Sequence, residues 1–284
     1  MSIICIFGEP GKGKTSLMVH LLNLSNFDFT RFNNCINGLL EISEKFGIEF
    51  INAPKTHCFS NLTTLTFFKF GYSRQKCNYI NPFELGFKNP YIDVNFIPPY
   101  SMVGIDEAQN YFDSRMSFYY PSWQSRYFEK HRHFDLDFFL CSQRADLIDI
   151  NIRALSSFIE IQNLKVKRNK NGEVVKLVWK VREISNFKAY EKYMASNGKD
   201  KSTFTNKKIV ANYDVFKCYD SQSEYCKFVE PSLYFKAEFI ECVNDLDNRE
   251  QLVEYLSKYN TQRPDNFYIK EFGKYGKNGT RNSA

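Results

Sequence analysis

Apolar and polar positions alternate along this chain in blocks that predict strands and helices in turn. The apolar run SIICIF at 2–7 is typical of a strand buried on both faces, and TSLMVHLLNLS, after a glycine-rich turn, predicts a helix. Apolar runs at 100–108 and 136–143 predict two more strands, with a helix over 121–134 between them. This alternation predicts an α/β fold whose mainly parallel central sheet is flanked by helices.

The pattern is less regular between these elements. Residues 27–56 mix Asn and Phe, but GLLEISEKFG has a helical period and ends in glycine, which predicts an inserted helix. The segment HCFSNL at 57–62 predicts a short strand. Residues 70–99 hold many Gly, Pro and Asn, and therefore predict loops with short elements.

The second half of the chain changes character. ADLIDINIRALSSFIEIQ predicts a short helix leading into a strand, and LKVKRNKNGEVVKLVWKVREI predicts a β-hairpin that turns at NKNGE. We expect a core at 1–164, with an insertion around 27–56, and a β-rich extension of the same domain at 165–222. Residues 223–284 predict a polar helical tail whose Gly-, Asn- and Lys-rich end is disordered.

Composition narrows the class of protein. The chain has 284 residues, 43% hydrophobic and 25% charged, which is ordinary for a globular protein. A net charge of +6 suits an anionic partner but does not identify one. The eight cysteines form no C-x-x-C pair, which argues against zinc knuckles and favours a reducing, cytoplasmic compartment. No run of eighteen apolar residues occurs, so we expect no transmembrane helix.

The segment GEPGKGKTS follows the first strand with the spacing G-x-x-x-x-G-K-[ST] of a phosphate-binding loop. Glycines let successive backbone N–H groups point at phosphates, and the following helix N-terminus adds its dipole. Lys14 is expected to reach the β- and γ-phosphates, and the Thr15 hydroxyl to bind Mg²⁺. The predicted ATP-binding residues are Gly8, Glu9, Pro10, Gly11, Lys12, Gly13, Lys14, Thr15 and Ser16.

Two carboxylates end the strand at 100–108. Asp106 is expected to hold Mg²⁺ together with Thr15, because the carboxyl ends of parallel strands meet at one edge of a sheet. Glu107 follows directly and is the candidate general base, since hydrolytic motors use a glutamate there to activate the attacking water. GTPases and small-molecule kinases usually lack it.

Further candidates lie on the next elements. Gln143 ends the strand at 136–143 and is the candidate sensor of the γ-phosphate. An arginine from a neighbouring subunit could complete the site by stabilising the transferring phosphoryl group. Four arginines lie near these motifs in the sequence: Arg115, Arg126, Arg132 and Arg153. Arg153 is the first choice and Arg115 the second.

Four segments give the chain a family resemblance. They are GEPGKGKTS, VGIDEAQNYFDSR at 103–115, HRHFDLDFFLCSQ at 131–143 followed by IDINIR, and YDVFKCYDS at 213–221. Together they resemble the zonular occludens toxin domain, which is shared with filamentous-phage assembly ATPases. The middle two segments are the specific ones, and the resemblance covers about residues 1–222.

The resemblance implies a cytoplasmic, Mg²⁺-dependent ATPase that forms homo-oligomers at the inner face of the membrane and drives virion assembly and extrusion. Its implied partners are coat or membrane-anchored assembly proteins, with single-stranded DNA as a further candidate, and attachment to the membrane would come from a partner. A DNA-packaging or DNA-translocating ATPase of the same superfamily is the alternative, because it would use the same residues. A thymidine-kinase-type enzyme is disfavoured, since its four-cysteine zinc site is missing.

Overall fold

The computed structural model describes residues 2–26, 28–46, 54, 56–62, 65–67, 75–80, 82, 85, 97–115, 122–212, 215, 218 and 219. The tail predicted at 223–284 lies outside these residues, as do parts of the predicted insertion and most of the loop region at 70–99.

Ten strands and five α-helices are present in the described residues. The strands are β1 (Ile3–Phe7), β2 (Cys58–Ser60), β3 (Thr66–Phe67), β4 (Gln75–Lys76), β5 (Asn78–Tyr79), β6 (Met102–Ile105), β7 (Asp137–Ser142), β8 (Ser156–Arg168), β9 (Val174–Ile184) and β10 (Thr205–Asn212). The helices are α1 (Lys14–Ser25), α2 (Phe29–Phe46), α3 (Ser122–Glu129), α4 (Ile150–Ala154) and α5 (Phe187–Ala195).

Eight of the strands form one sheet in the order β10-β9-β8-β1-β7-β6-β2-β5. From β8 to β5 all neighbours are parallel, whereas β9 and β10 add two antiparallel strands at one edge. β3 and β4 pair separately. The mixed α/β fold with a mainly parallel sheet is therefore confirmed, and so is the hairpin in its extension.

The register brings three strand ends to one edge of the sheet. Phe7 at the end of β1 pairs with Ser142 at the end of β7, and Ile105 at the end of β6 pairs with Leu140. The residues that follow these strands are therefore neighbours in space. β7 lies between β1 and β6, so the strand that Gln143 follows separates the phosphate loop from Asp106 in the sheet order.

Apolar side chains fill the space on both faces of the sheet. One cluster joins α1 to β8 and β9 through Leu17, Met18 and Trp179, all fully buried. Here a Cβ on Gly104 of β6 would lie only 2.6 Å from Leu22 Cδ1, so glycine lets α1 pack closely against the sheet. The other cluster includes Phe128 of α3, Phe138 of β7 and Tyr190 of α5.

Several boundaries differ from the sequence-based ones. α2 begins at Phe29 rather than at residue 38, because Asp28 precedes it and accepts a hydrogen bond from the Arg31 N–H at 3.0 Å. The helix predicted over 121–134 ends at Glu129 and continues as a 3-10 turn, His131–Phe134. The extension also contains a helix, α5, which the hairpin pattern did not predict.

The strand β8 is longer than the hairpin arm predicted from residue 164. It begins at Ser156, pairs in parallel with β1 as far as Glu160, and continues as the first arm of the hairpin. The expected boundary at residue 164 falls inside this strand. Core and extension therefore share one continuous sheet, and the hairpin projects beyond the edge at which β1 ends.

Candidate active site

The phosphate loop, residues 8–13, connects β1 to the N-terminus of α1. Gly13 has a φ of 76°, a left-handed conformation that glycine adopts without strain, and it sits at the cap position before Lys14. The Lys14 ammonium folds back over the loop and donates hydrogen bonds to the Gly8 carbonyl at 3.0 Å and the Glu9 carbonyl at 3.3 Å. The lysine thus lies where a bound phosphate would need it.

The β8–β9 hairpin packs against this loop. The Trp179 indole N–H of β9 donates to the Gly13 carbonyl at 3.1 Å, and Leu164 of β8 lies so close that a Cβ on Gly13 would be 2.9 Å from its Cδ2. A Cβ on Gly8 would lie 3.0 Å from the Ile161 carbonyl oxygen. The spacing of the loop glycines therefore reflects contact with the hairpin as well as any requirement of a ligand.

Thr15 and Asp106 meet across the carboxyl edge of the sheet. The Thr15 hydroxyl donates to Asp106 Oδ2 at 2.9 Å, whereas Asp106 Oδ1 is buried and has no hydrogen-bond partner among the described residues. Burial raises the pKa of Asp106 to about 6, with the neighbouring Glu107 contributing, although the Thr15 hydrogen bond acts in the opposite direction. A buried carboxylate with a spare oxygen beside a hydroxyl is what a bound cation would neutralise.

These donors fit Mg²⁺ as the sequence predicted. Mg²⁺ prefers oxygen ligands and usually takes one or two carboxylates, with water and substrate phosphates completing its shell. Among the residues that the structure describes, no group of three or more His, Cys, Asp or Glu side chains could hold a metal alone. Thr15 and Asp106 would therefore share the ion with a nucleotide, where it would offset phosphate charge.

Asn61 is a site residue that the sequence reasoning missed. It follows β2, the strand next to β6, and its side chain brackets the backbone of Asp106. Its Oδ1 accepts from the Asp106 N–H at 2.8 Å, and its Nδ2 donates to the Asp106 carbonyl at 3.0 Å. Because β2 was predicted without a partner, this polar residue at its carboxyl end gave no usable signal.

Glu107 adopts a left-handed backbone conformation with a φ of 49°, which is uncommon for a non-glycine residue. Residues in such strained conformations are concentrated at functional sites. Its side chain is half-buried, and its Oε2 accepts a hydrogen bond from the Gln109 amide. The carboxylate is next to the Thr15–Asp106 pair in the chain and is oriented by Gln109.

Gln143 lies beside the start of the phosphate loop. Its backbone carbonyl accepts the Gly8 N–H at 3.3 Å, and its side chain is exposed. The other end of the loop has a contact that the sequence did not predict: the Ser16 hydroxyl is 2.8 Å from that of Tyr219, a residue of the YDVFKCYDS segment.

The candidate arginines have different surroundings. Arg153 donates from Nε to the Ile148 carbonyl at 2.8 Å, and its guanidinium lies over the Phe187 ring at 5.6 Å from the centroid. Arg115 pairs with Asp113 at 2.6 Å, and its side chain is 79% exposed. Arg126 and Arg132 are exposed as well. No ion pair or hydrogen bond within the described residues joins Arg153 or Arg115 to the phosphate loop of the same chain.

One family model matches part of the chain. The family model described as Zonular occludens toxin (Zot) matches residues 92–225, which contain Asp106, Glu107, Gln143 and the hairpin. This match covers just under half of the chain. The resemblance predicted from the sequence motifs is therefore confirmed for this segment. The phosphate loop itself precedes the Zot segment in the chain.

The solved structures that match the chain are distant in sequence. The N-terminal domain of zonular occludens toxin from Neisseria meningitidis is 21% identical, with a TM-score of 0.41, and the match covers 77% of this chain and 98% of that one. The genome packaging NTPase B204 from Sulfolobus turreted icosahedral virus 2, in complex with ATP-gammaS, is 11% identical, with a TM-score of 0.34, and covers 73% and 95%. No curated protein matches the chain.

None of the helices in the described part of the chain is both long and apolar enough to span a membrane.

Proposed function

We propose that this protein is a Mg²⁺-dependent ATPase and that it powers virion assembly and extrusion, as the filamentous-phage assembly ATPases that it resembles do. The observation that carries the proposal is the contact between Thr15 and Asp106 beside Lys14, with one Asp106 oxygen left free. A hydroxyl and a carboxylate arranged in this way at the edge of a parallel sheet would hold the Mg²⁺ ion that accompanies a nucleoside triphosphate.

Glu107 is the proposed general base. Its carboxylate would take a proton from a water molecule as the water oxygen bonds to the γ-phosphorus, and the bond from that phosphorus to the β–γ bridging oxygen breaks, releasing ADP. Gln109 would act as a positioning residue, because its amide holds the Glu107 carboxylate. Gln143, at the end of the strand between the phosphate loop and Asp106, is the proposed γ-phosphate sensor.

Lys14→Ala tests the site against a matched change in the same loop. We expect Lys14→Ala to abolish ATP hydrolysis and weaken ATP binding, because its ammonium would bind the β- and γ-phosphates. Lys12 is also one of the predicted loop residues, but its ammonium pairs with exposed Glu9 at 2.9 Å, so Lys12→Ala should lower the activity far less than Lys14→Ala. The assay is steady-state phosphate release. Equal activity of wild type and Lys14→Ala would show that hydrolysis occurs elsewhere or not at all.

Arg115 is the arginine whose surroundings best suit a role in a neighbouring subunit, because its side chain pairs with Asp113 at the surface and is 79% exposed, whereas Arg153 is half-buried. We expect Arg115→Ala to lower kcat by about a thousandfold, as loss of an arginine finger does. The control is Arg168→Ala, which removes an exposed arginine at the end of β8 that is not among the candidates. The order of preference thus differs from the sequence-based one, which placed Arg153 first.

A mixing experiment distinguishes an arginine acting between subunits from one acting within its own chain. Arg115→Ala and Lys14→Ala should each be inactive alone, and mixing them should restore part of the activity if one chain supplies the loop and the other the arginine. If Arg115→Ala is inactive and mixing restores nothing, the arginine acts within its own subunit. If Arg115→Ala alone retains full activity, Arg115 is not the arginine that completes the site.

A further inference from the structure

One face of the three-stranded extension carries lysine at five of nine positions in three adjacent rows. Paired residues of antiparallel strands lie on the same face, and the register aligns Asn163, Lys180 and Lys208 in one row and Lys167, Lys176 and Asn212 in another. Between these rows lies a third, which contains Lys165. We define the lysine face by its five exposed members: Lys165, Lys167, Lys176, Lys180 and Lys208.

The charge on this face is not balanced by the strands that form it. β8, β9 and β10 contain only two acidic residues, and both already have partners: Glu160 pairs with Arg182 at 3.6 Å, and Glu183 pairs with Lys207. Helix α5 covers the end of the face near Glu160 and Arg182, where Tyr193 contacts both. The lysine face begins beyond that cover.

Two pairs of lysines lie directly opposite each other. Lys167 is the register partner of Lys176, and Lys180 is that of Lys208. Like charges at directly opposite positions destabilise a sheet. Protection of an edge against aggregation is a common reason for lysines on a strand, and it applies to β10 and to β8 beyond Glu160, where β8 no longer pairs with β1. It does not apply to Lys176 and Lys180, because β9 lies between β10 and β8. The repeated lysines therefore indicate an anionic partner.

We propose that the lysine face binds the phosphate backbone of a nucleic acid. Lys176 and Lys180 lie four residues apart on one strand, which spans about 14 Å at the usual rise. One strand of a duplex places about four phosphates along that distance. The exposed asparagines on the same face, Asn163, Asn206 and Asn212, add hydrogen-bond donors of the kind that contact phosphate and sugar.

The composition of the face favours a nucleic acid over a lipid membrane. A surface that binds at a membrane interface combines basic residues with Trp, Phe or Leu side chains that enter the acyl region. The rows of the lysine face contain lysine, asparagine and two valines, of which Val210 is 51% exposed and Val178 is half-buried. No aromatic residue lies in those rows, so base stacking is not expected, and binding should be independent of sequence.

The opposite face of the same strands holds the phosphate loop. Trp179 contacts Gly13, and Lys180, the next residue in the chain, points to the other side. A bound polymer and a bound nucleotide would thus contact opposite faces of one hairpin. Binding to DNA does not depend on the proposed ATPase activity, whereas any stimulation of hydrolysis by DNA rests on that proposed function.

The test uses a variant that removes binding without weakening the sheet. Lys176→Glu/Lys208→Glu turns both like-charge pairs into opposite-charge pairs, so its unfolding temperature should equal or exceed that of the wild type. Lys188→Glu/Lys199→Glu changes two exposed lysines outside the lysine face and lowers the net charge equally. Fluorescence anisotropy would measure affinity for labelled oligo(dT) and a duplex, each of about 30 units, longer than usual site sizes.

We expect wild-type affinity to fall with salt, with a slope of log K against log salt no steeper than about −4.5 for the duplex and −3.5 for oligo(dT). The Lys176/Lys208 variant should bind at least about tenfold more weakly and lose about two units of slope. The Lys188/Lys199 variant should remain within about twofold of wild type, since these lysines contact no phosphate. Comparing oligo(dT) with the duplex identifies which nucleic acid is preferred.

Three results would overturn the inference. The first is that neither oligo(dT) nor the duplex binds. The second is that both double variants lose affinity equally, which would reflect net charge alone. The third is binding to phosphatidylglycerol vesicles without binding to DNA, which would assign the face to a membrane. Basal phosphate release measured without DNA is a separate readout, so loss of DNA binding and failure of the proposed ATPase are distinguishable.

Discussion

Replacing Glu107 with glutamine is expected to stop ATP hydrolysis and leave ATP binding intact. The amide keeps the size of the side chain but cannot accept the proton of an attacking water. General-base catalysis contributes about 10²–10⁴ in rate, so kcat should fall by at least about a hundredfold. Affinity for ATP, measured by isothermal titration calorimetry with Mg²⁺, should stay within about twofold, because Lys14, Thr15 and Asp106 are unchanged.

Glu129→Gln is the matched control for this prediction. Glu129 is an exposed residue at the end of α3, so the same chemical change there should leave both kcat and affinity unaltered. Hydrolysis by Glu107→Gln at the wild-type rate would remove Glu107 from the mechanism. Loss of binding together with hydrolysis would indicate that the strained turn at Glu107 shapes the site instead.

Asp106→Asn should raise stability at neutral pH while abolishing hydrolysis. The pKa of Asp106 is about 6 in the folded protein, against an ordinary value of 3.8. A carboxyl whose pKa is raised by folding favours the folded state below the lower value, and this contribution is lost as pH rises through the higher one. The ionised, buried carboxylate therefore costs the ligand-free protein about 2 kcal/mol at pH 7, discounted for its partial exposure.

Asparagine removes that cost, because it is neutral and its side-chain oxygen can still accept from Thr15. The unfolding temperature of Asp106→Asn in EDTA should exceed that of wild type by roughly 4–8 °C above about pH 7. The difference should shrink as pH falls through 6 and vanish only well below pH 3.8, where Asp106 is protonated in both states. Adding Mg²⁺ and ATP should stabilise wild type only. A variant less stable than wild type at pH 8 would contradict this account.

The local pattern predicted the elements that carry the proposed nucleotide site. The strand, glycine loop and helix at the N-terminus follow from an apolar run, a fixed motif spacing and a helical period, all of which are local. Asp106 and Gln143 could be placed at one edge because parallel strands end together, and the register confirms that placement. The roles of these residues stay predictions.

The contacts that could not be predicted from the sequence are those that depend on which strands become neighbours in the sheet. Asn61 reaches Asp106 only because β2 pairs with β6, and Trp179 reaches Gly13 only because β8 continues past the end of β1. Likewise, the lysine face exists only once the register of β8, β9 and β10 is known, since β10 was not predicted as a separate strand. Local periodicity carries no information on such long-range pairing.

The central claim is that the Thr15–Asp106 edge hydrolyses ATP with the help of Mg²⁺. Steady-state phosphate release from ATP by the purified full chain tests it most directly, measured with Mg²⁺ and with EDTA alongside Lys14→Ala. The account predicts release by wild type in Mg²⁺ and only background release in EDTA and from Lys14→Ala. Release at the same rate from wild type and Lys14→Ala, or none above background from wild type, either with or without DNA, would contradict it.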